Sequence, residues 1–146
     1  MKMDCISMDA EASPEAPVGV HCILEMYQCP PALLNNAEYV EMAVAEAAQQ
    51  AKSTLLKLLV HEFEPQGVTA LALLAESHLS FHAWPERGYA AVDVFTCGEH
   101  TEPEAACYLL VERFRAGHYL LSVVPRGGRV TDHTPIEVQT EALLCP

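Results

Sequence analysis

The sequence predicts an α+β fold, a two-layer sandwich in which an antiparallel sheet carries helices on one face. Short runs rich in β-forming residues alternate with two amphipathic segments in the order β-α-β-β-β-β-α-β. Turn residues separate the consecutive runs, which favours hairpins and therefore antiparallel pairing. The chain has 146 residues, 51% of them hydrophobic, which is enough for one core and the usual size of one domain.

The first strand is predicted over residues 18–29, where a Pro-Pro pair ends it. A helix follows, which Asn35 or Asn36 can cap. Its apolar residues recur at steps of three and four and are Val40, Ala43, Val44, Ala47 and Ala51. Because this face is mostly alanine, we expect the helix to lie close to the sheet.

Four more strands are predicted before the second helix, over residues 53–63, 67–75, 78–84 and 89–96. Thr101 and Glu104 match a capping box, which predicts a helix from Thr101 to about Gly117. A last strand is predicted over 118–125.

The domain organisation follows from where these patterns stop. Residues 1–17 lack periodicity and are expected to form a flexible N-terminal arm. Residues 18–125 form the predicted domain, and residues 126–146 are expected to be a C-terminal tail.

Composition narrows the function classes. Twenty acidic against eight basic residues give a formal charge of −12, which disfavours nucleic acid and anionic membranes as partners. No apolar run approaches a membrane span, and the N-terminus lacks the apolar core of a signal peptide, so we expect a cytoplasmic protein. Six cysteines without a CxxC pair favour reduced thiols over disulfides, and no metal site is predicted.

Reactive side chains are concentrated between Ala75 and Glu99. They are Ser77, His78, His82, Glu86, Asp93 and Cys97. The simpler interpretation is a hairpin whose polar residues face water. However, two histidines, a tryptophan and a proline lie close together there, and a nucleophile and a base coexist. The chain lacks GxSxG, GxxxxGK and GxGxxG, so these motifs do not explain the segment.

The motifs ESHLSFHAWPE and YAAVDVFTCGE closely resemble the bacterial and archaeal S-adenosylmethionine decarboxylase proenzymes. The runs VHCILEMYQC and VHEFEPQGVTA are similar to other parts of the same family. The resemblance covers roughly residues 18–125.

This resemblance implies that the chain cuts itself between Glu76 and Ser77, and that Ser77 becomes a pyruvoyl group that forms a Schiff base with substrate. His82 matches the family's processing base, and Thr69 matches a hydroxyl residue that assists processing. Residues 77 and 82 would face opposite sides of a regular strand, so we expect a bend between them. Cys97 matches the family's proton donor. A free thiol suits this role because it is mostly protonated at neutral pH.

For the substrate, the resemblance implies that Phe63 stacks on adenine, that Glu86 accepts hydrogen bonds from the ribose hydroxyls and that Glu25 faces the ligand. The implied reaction converts S-adenosylmethionine to its decarboxylated form and CO₂ for spermidine biosynthesis. Small members of the family are typically homodimers whose sites both subunits complete.

Two alternatives remain open at this point. The same fold and machinery serve decarboxylases of ornithine or arginine, whose cationic substrates a carboxylate such as Glu86 could also hold. An unprocessed, non-catalytic paralogue acting as a binding subunit would have lost Ser77, His82 or Cys97, and all three are present.

Overall fold

The computed structural model describes residues 16–128 and 137–142, and there the predicted α+β sandwich is confirmed. Seven antiparallel strands form one sheet in the order β2-β3-β4-β5-β1-β6-β7. The elements are β1 (Gly19–Tyr27), α1 (Pro31–Leu34), α2 (Ala37–Gln50), β2 (Leu55–Glu62), β3 (Val68–Leu74), β4 (Ser77–Trp84), a 3₁₀ turn (Pro85–Arg87), β5 (Tyr89–Cys97), α3 (Pro103–Arg113), β6 (His118–Arg126) and β7 (Glu137–Ala142).

Helix α2 begins and packs as the sequence pattern predicts. The Asn36 side chain accepts a hydrogen bond from the Tyr39 N–H at 3.0 Å, which caps the helix. The buried face consists of Val40, Ala43, Val44, Ala47 and Ala48. Because most of these side chains are small, the helix backbone can approach the sheet closely.

Helix α3 begins later than predicted, and the predicted capping box is wrong. Glu102 occupies the N-cap position without a side-chain cap, and the helix starts at Pro103. Proline is favoured at the first helical position because it has no N–H to leave unpaired. The Thr101 hydroxyl instead donates to the Gly98 carbonyl at 2.9 Å and closes the turn after β5.

Strand β7 was not predicted. Residues 137–142 lie in the segment expected to be a tail, and they pair with β6, from His118↔Ala142 to Val123↔Glu137. Their short polar sequence gives no clear strand pattern. The strand is identified by its backbone pairing with β6. Residues 1–15, which include most of the expected N-terminal arm, lie outside the described residues.

The two faces of the sheet differ. Helices α2 and α3 cover the face that carries Leu24, Leu79, Phe81, Val92 and Leu121, all buried. We call the opposite side the open face: it carries the alternate residues of the same strands. Leu59, Leu71 and Leu73 on its β2–β3 part are 69%, 46% and 52% exposed. No helix in the described part of the chain is long and apolar enough to cross a membrane.

Substitution of Phe81 tests whether the core lies between the sheet and the two helices. Phe81 is fully buried on β4, and its ring centroid lies 4.8 Å from that of Phe114. We expect Phe81→Ala to lower the free energy of unfolding by about 3–5 kcal/mol, because the apolar contacts are lost and a cavity remains. Urea denaturation in an uncut Ser77→Ala background, at fixed protein concentration, measures this.

The control for this prediction is Met42→Ala on α2, whose side chain is 51% exposed. It should change the free energy of unfolding by no more than about 0.5 kcal/mol. Equal losses in the two variants would contradict a core between the sheet and the two helices.

Candidate active site

The peptide between Glu76 and Ser77 has an unusual backbone. Ser77 opens β4 with a φ of +144°, in a region that L side chains rarely adopt. Strand alternation would direct the Ser77 side chain to the buried face with Leu79. Its hydroxyl oxygen instead lies 3.2 Å from Nδ1 of His78, whose ring packs against Phe95. The strained φ therefore reorients the serine that the resemblance marks for cleavage.

Neighbouring segments hold this peptide from both sides. The Glu76 carbonyl accepts a hydrogen bond from the Cys97 N–H at 2.9 Å. The buried Glu76 carboxylate accepts bonds from the Thr54 N–H at 2.8 Å and the Thr54 hydroxyl at 3.3 Å. His100 Nε2 lies 3.8 Å from the same carboxylate. The carbonyl carbon next to Ser77 is thus polarised and its position fixed.

Cys97 differs in its surroundings from the other described cysteines. It ends β5, is half-buried and adjoins Glu76 through the backbone bond. Cys22, Cys29 and Cys107 are buried. Burial raises the pKa of the Cys29 thiol to about 12, and a hydrogen bond with Cys22, together with burial, raises that of Cys107. Such buried thiols are poorly reactive, which leaves Cys97 as the described cysteine placed for chemistry.

A second group of predicted residues lies at the other end of β4. Thr69 on β3 pairs with His82 on β4, and Thr69 Oγ1 lies 2.9 Å from His82 Nδ1. The ring of Trp84 lies 6.3 Å from that of His82. One ring nitrogen of His82 is therefore engaged by a hydroxyl, which fixes the orientation of the imidazole.

The predicted substrate residues lie near this second group. Phe63 follows β2 and is 50% exposed, and its N–H donates to the Gly67 carbonyl at 2.8 Å. Glu86 is exposed in the turn after β4. Glu25 on β1 accepts a hydrogen bond from the Tyr89 hydroxyl. Burial, together with this hydrogen bond, raises the pKa of that phenol.

One chain does not bring the two groups together. The pairing of β4 with β5 runs from Ser77↔Thr96 to Trp84↔Tyr89 without a register shift, so the bend expected between residues 77 and 82 is absent. Five residues of regular strand span about 17 Å. Glu76, Ser77 and Cys97 form what we call the Ser77 end of β4. Phe63, Thr69, His82 and Glu86 form the His82 end.

A polar network on the open face was not recognised from the sequence. His21 Nε2 on β1 lies 2.9 Å from the Asp93 carboxylate on β5, which also accepts a bond from the Ser80 hydroxyl at 3.3 Å. The ring of His78 lies 6.3 Å from that of His21. Polar residues at alternate positions of β1 and β5 were the available signal, but it does not reveal which of them meet.

Across residues 16–128 and 137–142, no three His, Cys, Asp or Glu side chains are grouped to hold a metal ion.

The fold and sequence match known proteins of one enzyme class, the decarboxylases that act on a sulfonium amino acid. The S-adenosylmethionine decarboxylase family model matches residues 20–127. The S-adenosylmethionine decarboxylase proenzyme of Parasynechococcus marenigrum (strain WH8102) is 59% identical over 104 residues, which are 71% of this chain and 81% of that protein. The proenzyme of Prochlorococcus marinus (strain MIT 9313) is 57% identical over 109 residues, 75% of this chain and 87% of its own.

A solved structure agrees with the sequence matches. The adenosylmethionine decarboxylase of Aquifex aeolicus VF5 superposes with a TM-score of 0.73 at 28% identity, over 82% of this chain and 98% of that one. The chain belongs to the S-adenosylmethionine decarboxylase family, and the resemblance seen in the sequence motifs is confirmed.

The strained φ at Ser77 predicts an unusual effect of glycine. We expect Ser77→Gly to have a free energy of unfolding about 1 kcal/mol higher than Ser77→Ala, because glycine adopts this φ without strain. Neither variant has a hydroxyl with which to cut itself, so urea denaturation compares two intact chains.

Ser80 provides the matched pair in the same strand, at a position without a positive φ. There the order should reverse, with Ser80→Gly less stable than Ser80→Ala by about 0.5–1 kcal/mol. A glycine that destabilises equally at both positions would argue against strain at Ser77.

Proposed function

We propose that this S-adenosylmethionine decarboxylase cuts itself between Glu76 and Ser77 and carries a pyruvoyl group derived from Ser77. The main support is the geometry of the peptide between Glu76 and Ser77. A strained serine follows a carbonyl that accepts a hydrogen bond from the Cys97 N–H at 2.9 Å. The residues present fit the group, because its hydroxyl precursor and a donor to the scissile carbonyl meet at one peptide.

Self-cleavage begins when Ser77 Oγ attacks the Glu76 carbonyl carbon. The carbonyl oxygen gains negative charge, which the Cys97 N–H stabilises. The C–N bond then breaks, which leaves an ester between the two residues and a free amine on Ser77. Strain at the serine φ favours this step because the peptide bond that holds the strain is the one that breaks.

A base must next remove the α-proton of Ser77, so that the Glu76 carboxylate leaves and dehydroalanine forms. Hydrolysis of dehydroalanine gives the pyruvoyl group and ammonia. We assign the base to His82, whose ring Thr69 holds at 2.9 Å. The threonine hydroxyl orients the imidazole and leaves its other nitrogen available for the proton.

In the decarboxylation itself, the pyruvoyl group supplies a carbonyl that combines with the substrate amine and accepts the electrons left as CO₂ departs. Cys97 returns a proton to the substrate α-carbon. Its thiol is half-buried at the end of β5, beside the junction where that group forms. We expect the rest of the substrate to lie between Phe63, which presents a half-exposed ring to the adenine, and Glu86, which accepts the ribose hydroxyls. Glu25 supplies a negative charge on the same face.

We further propose that the enzyme is a homodimer in which each site takes its Ser77 end from one chain and its His82 end from the other. The two ends lie about 17 Å apart along β4, too far for His82 to reach the α-proton of Ser77 in its own chain. The open face carries exposed Leu59, Leu71 and Leu73. A two-fold axis that packs two open faces together would cover these leucines and bring opposite ends of β4 near each other.

The location we propose is the cytoplasm, where the product would donate aminopropyl groups for spermidine biosynthesis. Free cysteines at positions 22, 29, 97 and 107 suit a reducing compartment.

One mass spectrum tests the activity and the cleavage site. After incubation with equal S-adenosylmethionine, ornithine and arginine plus cyanoborohydride, we expect two chains divided between Glu76 and Ser77. The C-terminal chain should carry an adduct of S-adenosylmethionine or its decarboxylated product, because reduction traps the bound amine.

Ser77→Ala is the control and should remain uncut without an adduct. An adduct derived from ornithine or arginine would transfer the function to those substrates. A wild-type chain that stays uncut would contradict self-cleavage and favour a binding subunit.

Complementation between chains tests the shared site. We expect His82→Ala chains alone to remain without the pyruvoyl group. When they are co-expressed with differently tagged Ser77→Ala chains, the His82→Ala chain should be converted in the purified heterodimer, because the partner supplies an intact His82 end. Mass spectrometry of each tagged chain measures this.

A partner that carries both substitutions is the control and should rescue nothing. If the heterodimer forms and the His82→Ala chain still lacks the pyruvoyl group, the two ends do not act across the interface.

A further inference from the structure

The ring of His78 contacts the hydroxyl of Ser77, the nucleophile of the proposed self-cleavage. Its Nδ1 lies 3.2 Å from Ser77 Oγ, a distance at which the hydroxyl can donate a hydrogen bond to the ring. The contact exists because the positive φ of Ser77 turns its side chain toward the open face. His82, the base assigned to the later step, lies five residues along the strand.

The ring of His78 is held by its neighbours on the open face. Phe95 on β5 pairs with His78 in the sheet, with their ring centroids 5.9 Å apart at an interplanar angle of 67°. His21 on β1 lies edge-on at 6.3 Å and is hydrogen-bonded to Asp93. Contacts on two sides restrict rotation of the imidazole, so that Nδ1 stays directed at the serine.

We propose that His78 is the base for the first step of self-cleavage: it takes the proton from Ser77 Oγ as that oxygen attacks the Glu76 carbonyl. This inference rests on the proposed self-cleavage and divides its two proton removals between two histidines. His78 acts on the oxygen and His82 on the α-carbon.

The proton that Ser77 loses in this step is returned before the step ends. The Oγ–H proton passes to Nδ1 while Oγ forms a bond to the Glu76 carbonyl carbon. When the C–N bond breaks, the imidazolium returns the same proton to the departing Ser77 nitrogen. The products are an ester, a free amine and neutral His78, and no other reactant is consumed.

The electrostatic surroundings favour the neutral base. Burial lowers the pKa of His78, and the charges of His21 on β1 and Arg126 on β6 lower it further, while Asp93 on β5 opposes them. His78 is therefore mostly unprotonated at neutral pH and can accept the serine proton.

The test uses His82→Ala chains, in which the α-proton stays in place and the ester should accumulate. Hydroxylamine cleaves esters but not amides, so it should release a chain that ends in a Glu76 hydroxamate. We expect His78→Asn, added to His82→Ala, to slow ester formation about 100-fold or more. Asparagine places an acceptor oxygen near the position of Nδ1 but cannot take the proton. The variant therefore keeps the hydrogen bond to Ser77 and removes only the base.

The matched control is His61→Asn, an exposed histidine on β2, which should leave ester formation unchanged. Thermal unfolding of each variant checks that the fold is intact. In otherwise wild-type chains, His78→Asn should also slow cutting.

Ester formation in His82→Ala chains that His78→Asn leaves within a few fold of the control would overturn the role of His78 and leave self-cleavage standing. If neither ester nor cutting occurs in any variant or in the wild type, self-cleavage itself fails and the inference fails with it.

Discussion

The pairing of β4 with β5 is the interaction on which the rest of the site depends. Its register places Ser77 opposite Thr96, so that the next residue, Cys97, donates its N–H to the Glu76 carbonyl. The Ser77 hydroxyl, the Glu76 carbonyl and the Cys97 thiol are thereby gathered at one end of two strands. The same regular pairing holds His82 about 17 Å away, because a strand has a fixed rise per residue. The register of β4 and β5 therefore brings the residues of the Ser77 end together and keeps the His82 end of the same chain away from them.

A strained φ at Ser77 persists because the surrounding structure holds the peptide on every side. Strand β4 is paired with β3 and β5 along its length, and the buried Glu76 carboxylate is bound to the backbone and side chain of Thr54. A strained residue of this kind costs about 1–3 kcal/mol and survives only where such contacts determine its conformation. Self-cleavage would release that strain, so the strain would favour the proposed cleavage.

The open face links the proposed chemistry to assembly. Helices cover one side of the sheet, and the other side combines exposed leucines with the His21–Asp93 pair and the ring of His78. A second copy packed there would exclude water from both ends of β4. With water excluded, His78 would take the proton from the serine hydroxyl of its own chain, and His82 would take the α-proton of the other chain across the proposed interface.

The sequence alone determined the layers of the fold, the family to which the chain belongs and a helix cap at Asn35 or Asn36, of which the structure selects Asn36. These rest on local periodicity and contiguous motifs, which a single segment contains in full. It predicted neither β7 nor the true start of α3, where proline and backbone pairing outweighed the side-chain pattern. Only the tertiary structure decided which residues meet. His21 and Asp93 are 72 residues apart and Thr69 and His82 are 13 apart. Their contacts depend on strand order and register, which no local pattern specifies. The separation of Ser77 from His82 has the same origin, because motif spacing counts residues while the rise of the strand sets distance.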